Sequence, residues 1–508
     1  MKLTASILLA AVAATAGQIH QRKSASALAL QAASVETFNP IVIKGQRMFE
    51  YETGKPFQVK GVDYYPRPNT GTLDVNNLDL FSDDDEAIWS PHIAEFQALG
   101  INTIRLYAID PSKSHDKFMC ALSAAGIYVL VDLGASCEGC SITKDPYPAC
   151  YPSALKTRGQ QIITAFAKYN NVLGFSAGNE VNHVVSDPTV NGPCQKKFIK
   201  DMRAFINSCS ANMRPIPVGV VLADTNRSPN ALYYNCRTDA SDKLENAEWY
   251  GINVYLQCDP KATTGTVGAS YAQLHSDFQS YKLAGPTMLT EFGCLNKAFP
   301  TVDGYDAQRP WVQASWLLSK DFADVFTGGF AFEFSTENAN SKADAPYPFT
   351  SYGAQNYGLG YFSPEKCDHA STPCKYNRMP NFESLATQYK AAKTALPSMD
   401  EYSALVTTPP SCPSGFSKLS DSKWASDSVT DMLCPDLTQT KMCPGHKIIT
   451  GKATAKLDSD GNSSAANTTI SPTTGSGSSK TDAPKLAASG AATAAVGMVG
   501  AVVFAAMQ

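Results

Sequence analysis

Eight short apolar runs between residues 57 and 334, separated by stretches of helical periodicity, leave this chain few folds to choose from. The runs are Phe57–Tyr65, Ile101–Ile109, Ile127–Gly134, Val172–Asn179, Ile216–Ala223, Trp249–Leu256, Thr287–Phe292 and Gly328–Phe334. Several have the dense Val, Ile, Leu and Tyr content of strands covered on both faces. Between them, stretches such as Ser114–Ala125 and Leu155–Tyr169 place apolar residues at helical spacing. Alternating strand and helix is the signature of βα units, and eight of them predict an α/β chain folded as a (β/α)8 TIM barrel. No G-x-G-x-x-G follows the first run, which removes the main reason to prefer an open dinucleotide-binding sheet.

The ends of the chain read differently. Lys2, the apolar stretch Ile7–Ala14 and the Ala14-Thr15-Ala16 cleavage pattern predict a signal peptide over residues 1–16. That places the 14 cysteines in an oxidising compartment, where disulfides are their default state. Pairing is not legible, although the short loop from Cys367 to Cys374 suits a bridge. Cys137-Glu138-Gly139-Cys140 is read as a disulfide-braced surface loop. Residues 39–362 form the predicted catalytic domain, and 363–450 a barrel-wrapping segment with a short disulfide-braced extension. From 451 to 484 the composition is Ser, Thr, Ala, Gly and Asn, too poor in apolar residues to offset its ordering entropy, so a disordered stalk is expected. An apolar, alanine-rich tail over 485–508 follows small residues and a polar spacer. This is the pattern of a GPI-attachment signal, with Ser476, Gly477 and Ser478 as candidate attachment sites; a single-pass tail anchor is the alternative. Asn226, Asn462 and Asn467 head N-glycosylation sequons, the first followed closely by Pro229.

A formal net charge of −4 argues against nucleic acid or an anionic membrane surface as the main partner and suits a neutral polymer. Five Trp, 22 Tyr and 23 Phe supply ring faces able to stack on sugars as well as to fill a core.

Barrel enzymes carry their reacting groups where strands end. The fourth run ends Gly178-Asn179-Glu180 and the seventh Thr290-Glu291-Phe292. A carboxylate at the edge of an apolar strand is costly unless it has partners or a task. Two of them on strands that face each other across a barrel mouth match the needs of glycosidic chemistry. Cleavage with retention requires an acid to protonate the leaving oxygen and a second carboxylate, about 5–5.5 Å away, to attack the anomeric carbon. Asn179 is placed to hold the sugar 2-hydroxyl. Asp132 at the end of the third strand is a further substrate-binding candidate, Glu333 lies within the eighth run, and Asp83-Asp84-Asp85-Glu86 reads as a solvated acidic loop.

The residues NTIRLYAIDPSKSHD (102–116), AGNEV (177–181), GINVY (251–255), EFGC (291–294), GGFAFEF (328–334) and NYGL (356–359) resemble the β-1,3-glucanosyltransferases of glycoside hydrolase family 72, GPI-anchored enzymes that remodel cell-wall glucan. The resemblance runs from about Asn39 to Phe362. It implies Glu180 as acid/base and Glu291 as nucleophile, with a pKa raised on Glu180. It implies Tyr107, Asp132, Asn179 and Tyr255 as sugar contacts, and Tyr64 is grouped with them. It also implies transfer between β-1,3-glucan donor and acceptor chains at the outer face of a membrane, without metal or organic cofactor. The chain departs from the family pattern at Asp63 and Tyr65, where Ala and Gln are frequent, and at Phe332 and Phe334, where tyrosines are frequent. An endo-β-1,3-glucanase and a non-catalytic glucan-binding wall protein are the alternative readings.

Overall fold

The computed structural model describes residues 38–256, 259, 261–294, 310–336 and 358–451. The expected signal peptide, Asn462, Asn467, the attachment candidates Ser476, Gly477 and Ser478, the tail, and all of the stalk but Gly451 lie outside the described residues. Among the described residues no helix is long and apolar enough to cross a membrane.

Three short antiparallel strands open the fold: β1 (Ile41–Lys44), β2 (Arg47–Glu50) and β3 (Pro56–Phe57). Eight parallel strands follow in chain order. They are β4 (Val59–Asp63), β5 (Thr103–Leu106), β6 (Tyr128–Asp132), β7 (Val172–Asn179), β8 (Val218–Ala223), β9 (Tyr250–Val254), β10 (Thr287–Phe292) and β11 (Phe326–Ala331). Seven of the eight runs contain one of them, the eighth overlaps β11 from Gly328 to Ala331, and β11 pairs with β4 to close the barrel. Strands such as β6 and β8 are buried along their whole length, as the apolar sequence of residues 128–131 and Val218–Ala223 requires. The eighth strand stops at Ala331, so Glu333 lies beyond it rather than within it. The acidic run forms a one-turn helix, Asp83–Asp85, leading into the helix Glu86–Trp89, instead of an open loop.

Helices including His92–Leu99, Asp116–Ala124, Ser153–Phe166 and Ala269–Tyr281 connect the strands and bury one face each, and Gly192–Ser208 is buried all round over its first two turns. Ile41, Met48 and Phe57 of the small sheet share an apolar cluster with Val59, Leu130, Val221 and Met288 of the barrel. Gly219 is dictated by this packing: a Cβ there would lie 2.1 Å from the Trp249 ring.

The chain beyond the barrel adds the antiparallel pair β12 (Gly360–Ser363) and β13 (Lys375–Arg378) and the helix Pro380–Ala391. That helix buries Phe382, Leu385 and Tyr389 in the main core. The cysteines of the final segment bond to the barrel rather than to one another, as Cys120–Cys443, Cys209–Cys434 and Cys236–Cys412. The two short loops are bridged within themselves, Cys137–Cys140 and Cys367–Cys374.

Candidate active site

Arg105 organises the carboxyl end of the barrel. It stands on β5, where all four residues are buried, and its side chain is entirely shielded from solvent. A guanidinium in such a place must spend every donor. Nε and Nη2 take the two oxygens of Asp132 on β6, at 3.3 and 2.8 Å. Nη2 also donates to Asn179 Oδ1 at 2.9 Å. Nη1 donates to Glu291 Oε1 at 3.2 Å and to the Thr290 carbonyl at 3.3 Å, with Asp63 Oδ1 at 3.8 Å. The Tyr107 ring covers the guanidinium, 4.5 Å from centroid to Cζ. Burial alone depresses the Arg105 pKa, but Asp132, Tyr107, Glu291 and Asp63 outweigh it and fix the positive charge.

Glu291 receives three donors. Besides Arg105, the Tyr107 hydroxyl donates to Oε1 at 3.0 Å, and the Tyr255 hydroxyl donates to Oε2. Side-chain alternation explains the grouping: Tyr107 lies two residues beyond Arg105 and Tyr255 two beyond Asn253, so each pair shares one face. The pairing of β10 with β9 is irregular between Leu289 and Glu291, and this re-aims the carboxylate at the strand end.

Glu180 follows β7 in the left-handed backbone region, φ 51°, and its N–H donates to the Val221 carbonyl at 3.0 Å. Its carboxylate is oriented by Asn253, whose Nδ2 reaches Glu180 Oε1 at 2.9 Å and Asn179 Oδ1 at 3.2 Å. Asn253 is itself held by Thr290, Oγ1 to Oδ1 at 2.9 Å. One continuous network therefore joins the ends of β5, β6, β7, β9 and β10.

Burial, followed by repulsion from Glu180, pushes the Glu291 carboxyl up to about 7, against Arg105, Tyr255 and Tyr107. Glu291 is the more deeply enclosed of the two glutamates. Asp63 is held well above the usual carboxylate range by burial and by Glu291, and burial also raises Asp132 against the pull of Arg105.

The structure brings Tyr107, Asp132, Asn179, Glu180, Tyr255 and Glu291 together. Two expectations change. Tyr64 points away from the mouth: fully buried, it donates to or accepts from His92 Nδ1 at 2.7 Å and packs against Phe81, Phe96 and Phe334. It follows Asp63, which faces inward, and alternation sends Tyr64 into the helical layer. Asp132 is only 3% exposed with both oxygens on Arg105, so it braces that residue rather than facing the open mouth. Sequence reasoning missed Arg105, Asp63 and Asn253, although a charge inside an otherwise apolar run is the signal that marks the first two. Of the two phenylalanine departures, Phe332 meets the Tyr255 ring edge-on at 5.8 Å, whereas Phe334 stacks on Tyr376 in the core. Asn226 is exposed, and its Nδ2 donates to the Ser186 carbonyl at 3.1 Å.

Comparison with known proteins agrees with this architecture. A family profile described as glucanosyltransferase, of glycoside hydrolase family 72, matches residues 30–342. The 1,3-beta-glucanosyltransferase PGA4 of Candida albicans is 33% identical over 60% of this chain and 62% of its own length. The gas4 protein of Schizosaccharomyces pombe, of the same described activity, is 36% identical over 59% of this chain and 60% of its own. The chain thus spans about three fifths of these relatives. The gel1 protein of Aspergillus fumigatus, also a 1,3-beta-glucanosyltransferase, is 32% identical over 71% of this chain and 67% of its own length. Among solved structures, Saccharomyces cerevisiae Gas2p in complex with laminaritriose and laminaritetraose has a TM-score of 0.57 at 29% identity, covering 75% of this chain and 76% of that one. An apo structure of a Gas2p mutant gives 0.58 at 28%, over 75% and 72%. With a match over more than half its length, this chain belongs to the glucanosyltransferase family, glycoside hydrolase family 72.

Proposed function

We propose that the chain is a retaining β-1,3-glucanosyltransferase that cleaves an internal glucan linkage and passes the new reducing end to the non-reducing end of a second glucan. The observation that carries this reading is the arrangement at Glu291, a carboxylate fixed by Arg105, Tyr107 and Tyr255 within the electrostatic reach of Glu180. The Glu180 charge is among the causes that raise the Glu291 carboxyl, as expected of two carboxylates sharing one site. The donors gathered on Glu291 stabilise its ionised form, and Glu180, with Asn253 as its donor, is the partner that carries the proton into the reaction.

Glu291 attacks the anomeric carbon as the glycosidic bond breaks, and the Glu180 proton goes to the departing oxygen. Arg105 and Asp132 hold the nucleophile's position, and Asn179 presents its amide towards the sugar. Once Glu291 is an ester its charge is gone, and Glu180, now ionised, takes the proton from the incoming hydroxyl. A glucan hydroxyl gives elongation; water gives hydrolysis. Acceptor groups held at high effective concentration favour elongation. The laminari-oligosaccharides bound in Gas2p support β-1,3-glucan as both donor and acceptor. The amino-terminal leader and the carboxy-terminal attachment signal read from the sequence support an enzyme tethered by GPI to the outer leaflet or the wall, through Ser476, Gly477 or Ser478.

Incubation of the purified protein with reduced laminarin oligosaccharides, resolved by length, tests the reading. Products both longer and shorter than the donor are expected. Only shorter products would make it an endo-β-1,3-glucanase, and unchanged donor would leave a glucan-binding protein.

A further inference from the structure

Among the described residues, Asp63 is the one carboxyl beside Glu291 to which the mechanism gives no task. It ends β4, pairs across the sheet with Arg105, and its side chain is completely shielded from solvent. Among the described residues neither of its oxygens has a partner at full hydrogen-bond geometry; a neighbouring donor, the Tyr107 hydroxyl, is directed to Glu291 Oε1. Arg105 Nη1 approaches to 3.8 Å, but its bonds go to Glu291 and the Thr290 carbonyl. The groups that face Asp63 are Arg105 and Tyr107 from β5 and the loop after it, Glu291 from β10, Asp132 from β6 and Tyr389 from the helix Pro380–Ala391. One buried cation serves three buried carboxyls. Asp132 takes its charge bidentately and Glu291 needs it as the nucleophile, so an ionised Asp63 would be a third negative charge around one cation whose bonds, like the Tyr107 hydroxyl, are already given to the other two. A neutral acid has no such need.

We propose that Asp63 is a positioning residue for Glu291, standing as a protonated carboxylic acid through the catalytic cycle and thereby leaving the Arg105 Nη1 donor committed to the nucleophile. Burial and the neighbouring Glu291 charge hold its pKa high, in keeping with that state. A permanently neutral group at this position fills the space beside Arg105 without competing for it. No proton moves to or from Asp63 in either half-reaction. The inference rests on Glu291 as the nucleophile of the proposed function.

Asp63→Asn has the shape and neutrality of the acid. It should keep kcat within about threefold and leave the acid limb of the pH–rate profile in place, whereas Asp63→Ala should lower kcat with little change in KM. Had Asp63 been ionised, its repulsion would be raising the Glu291 pKa, and Asp63→Asn would move the acid limb to lower pH; that displacement overturns the proposal. A second measurement needs neither activity nor an Asp63 variant. In protein labelled with 13C at aspartate Cγ, one carbonyl resonance should keep the chemical shift of a protonated acid at pH 7 and survive Asp132→Asn. Absence of such a resonance refutes the neutral acid, even in a protein that transfers glucan normally. Its presence in a protein that transfers nothing would count against the proposed function instead.

Discussion

Arg105 Nη1 lies 3.2 Å from Glu291 Oε1 while the same guanidinium holds both oxygens of Asp132, so Glu291, the proposed nucleophile, is fixed by a charge that is itself fixed. Such a planar, multiply bonded cation has no equivalent in an ammonium group. Arg105→Lys should reduce kcat for glucan transfer by about 10²–10³-fold, the range for losing one preorganised electrostatic contact, with KM little altered. Steady-state kinetics on laminarin oligosaccharides provide the check. A loss confined to KM would mean that Arg105 serves binding alone.

Tyr255 donates to the other Glu291 oxygen and opposes the upward shift of its pKa. Tyr255→Phe removes only that donor. Because a hydrogen bond to a charged group contributes about 1.5–3 kcal/mol, kcat should fall by roughly 10–150-fold. The acid limb of the profile should move to higher pH, since the carboxylate has lost a stabilising partner. An acid limb that stays in place would detach Tyr255 from the ionisation of Glu291.

Glu291 also ties stability to pH. Its folded value of about 7 lies above the ordinary glutamate value of 4.5, so the folded state retains a proton that the unfolded state has released. Stability is therefore complete below about 4.5 and declines as pH rises towards 7. The Glu291→Gln protein escapes that decline. Its unfolding free energy should match the wild type at pH 4 and exceed it at pH 7.5, by a difference on the order of 3 kcal/mol at most, with the melting temperature shifting in the same sense. Parallel melting curves across this range would contradict the shift.

The bridge Cys209–Cys434 closes a long loop, 225 residues apart in sequence, and ties the final segment to the barrel far from the reacting groups in the chain. Replacing both cysteines by serine should destabilise the protein by about 2–5 kcal/mol in chemical denaturation. The kcat of the folded fraction should remain unchanged. A matching loss of kcat would mean that the segment shapes the site.

How much of this was legible in the sequence follows from where each residue stands. The barrel strands were readable because burial on both faces demands unbroken apolar runs, as in residues 128–131 and Val218–Ala223. Glu180 and Glu291 were readable because each interrupts such a run at its end. Arg105 lies inside a motif that was quoted as a resemblance, yet its task emerges only when Asp132, Asn179 and Glu291, far away in the chain, converge on one guanidinium. Asn253 is hidden for the same reason: an asparagine on β9 gains meaning from the Glu180 oxygen two strands away at the end of β7. Tyr64 was misplaced because a motif names neighbours without saying which face each takes, and alternation separates it from Asp63. The long-range disulfides were unreadable because three-dimensional proximity, not spacing, selects Cys120 for Cys443.

The central claim is that Glu291 makes the covalent bond to the sugar. A fluorinated laminaribiosyl donor with a good leaving group, slow to be released, should leave one glycosyl unit on the protein, and peptide mapping by mass spectrometry should place it on Glu291. A label on Glu180 or on Asp63, or turnover with no trapped ester under conditions that accumulate one, would contradict the account.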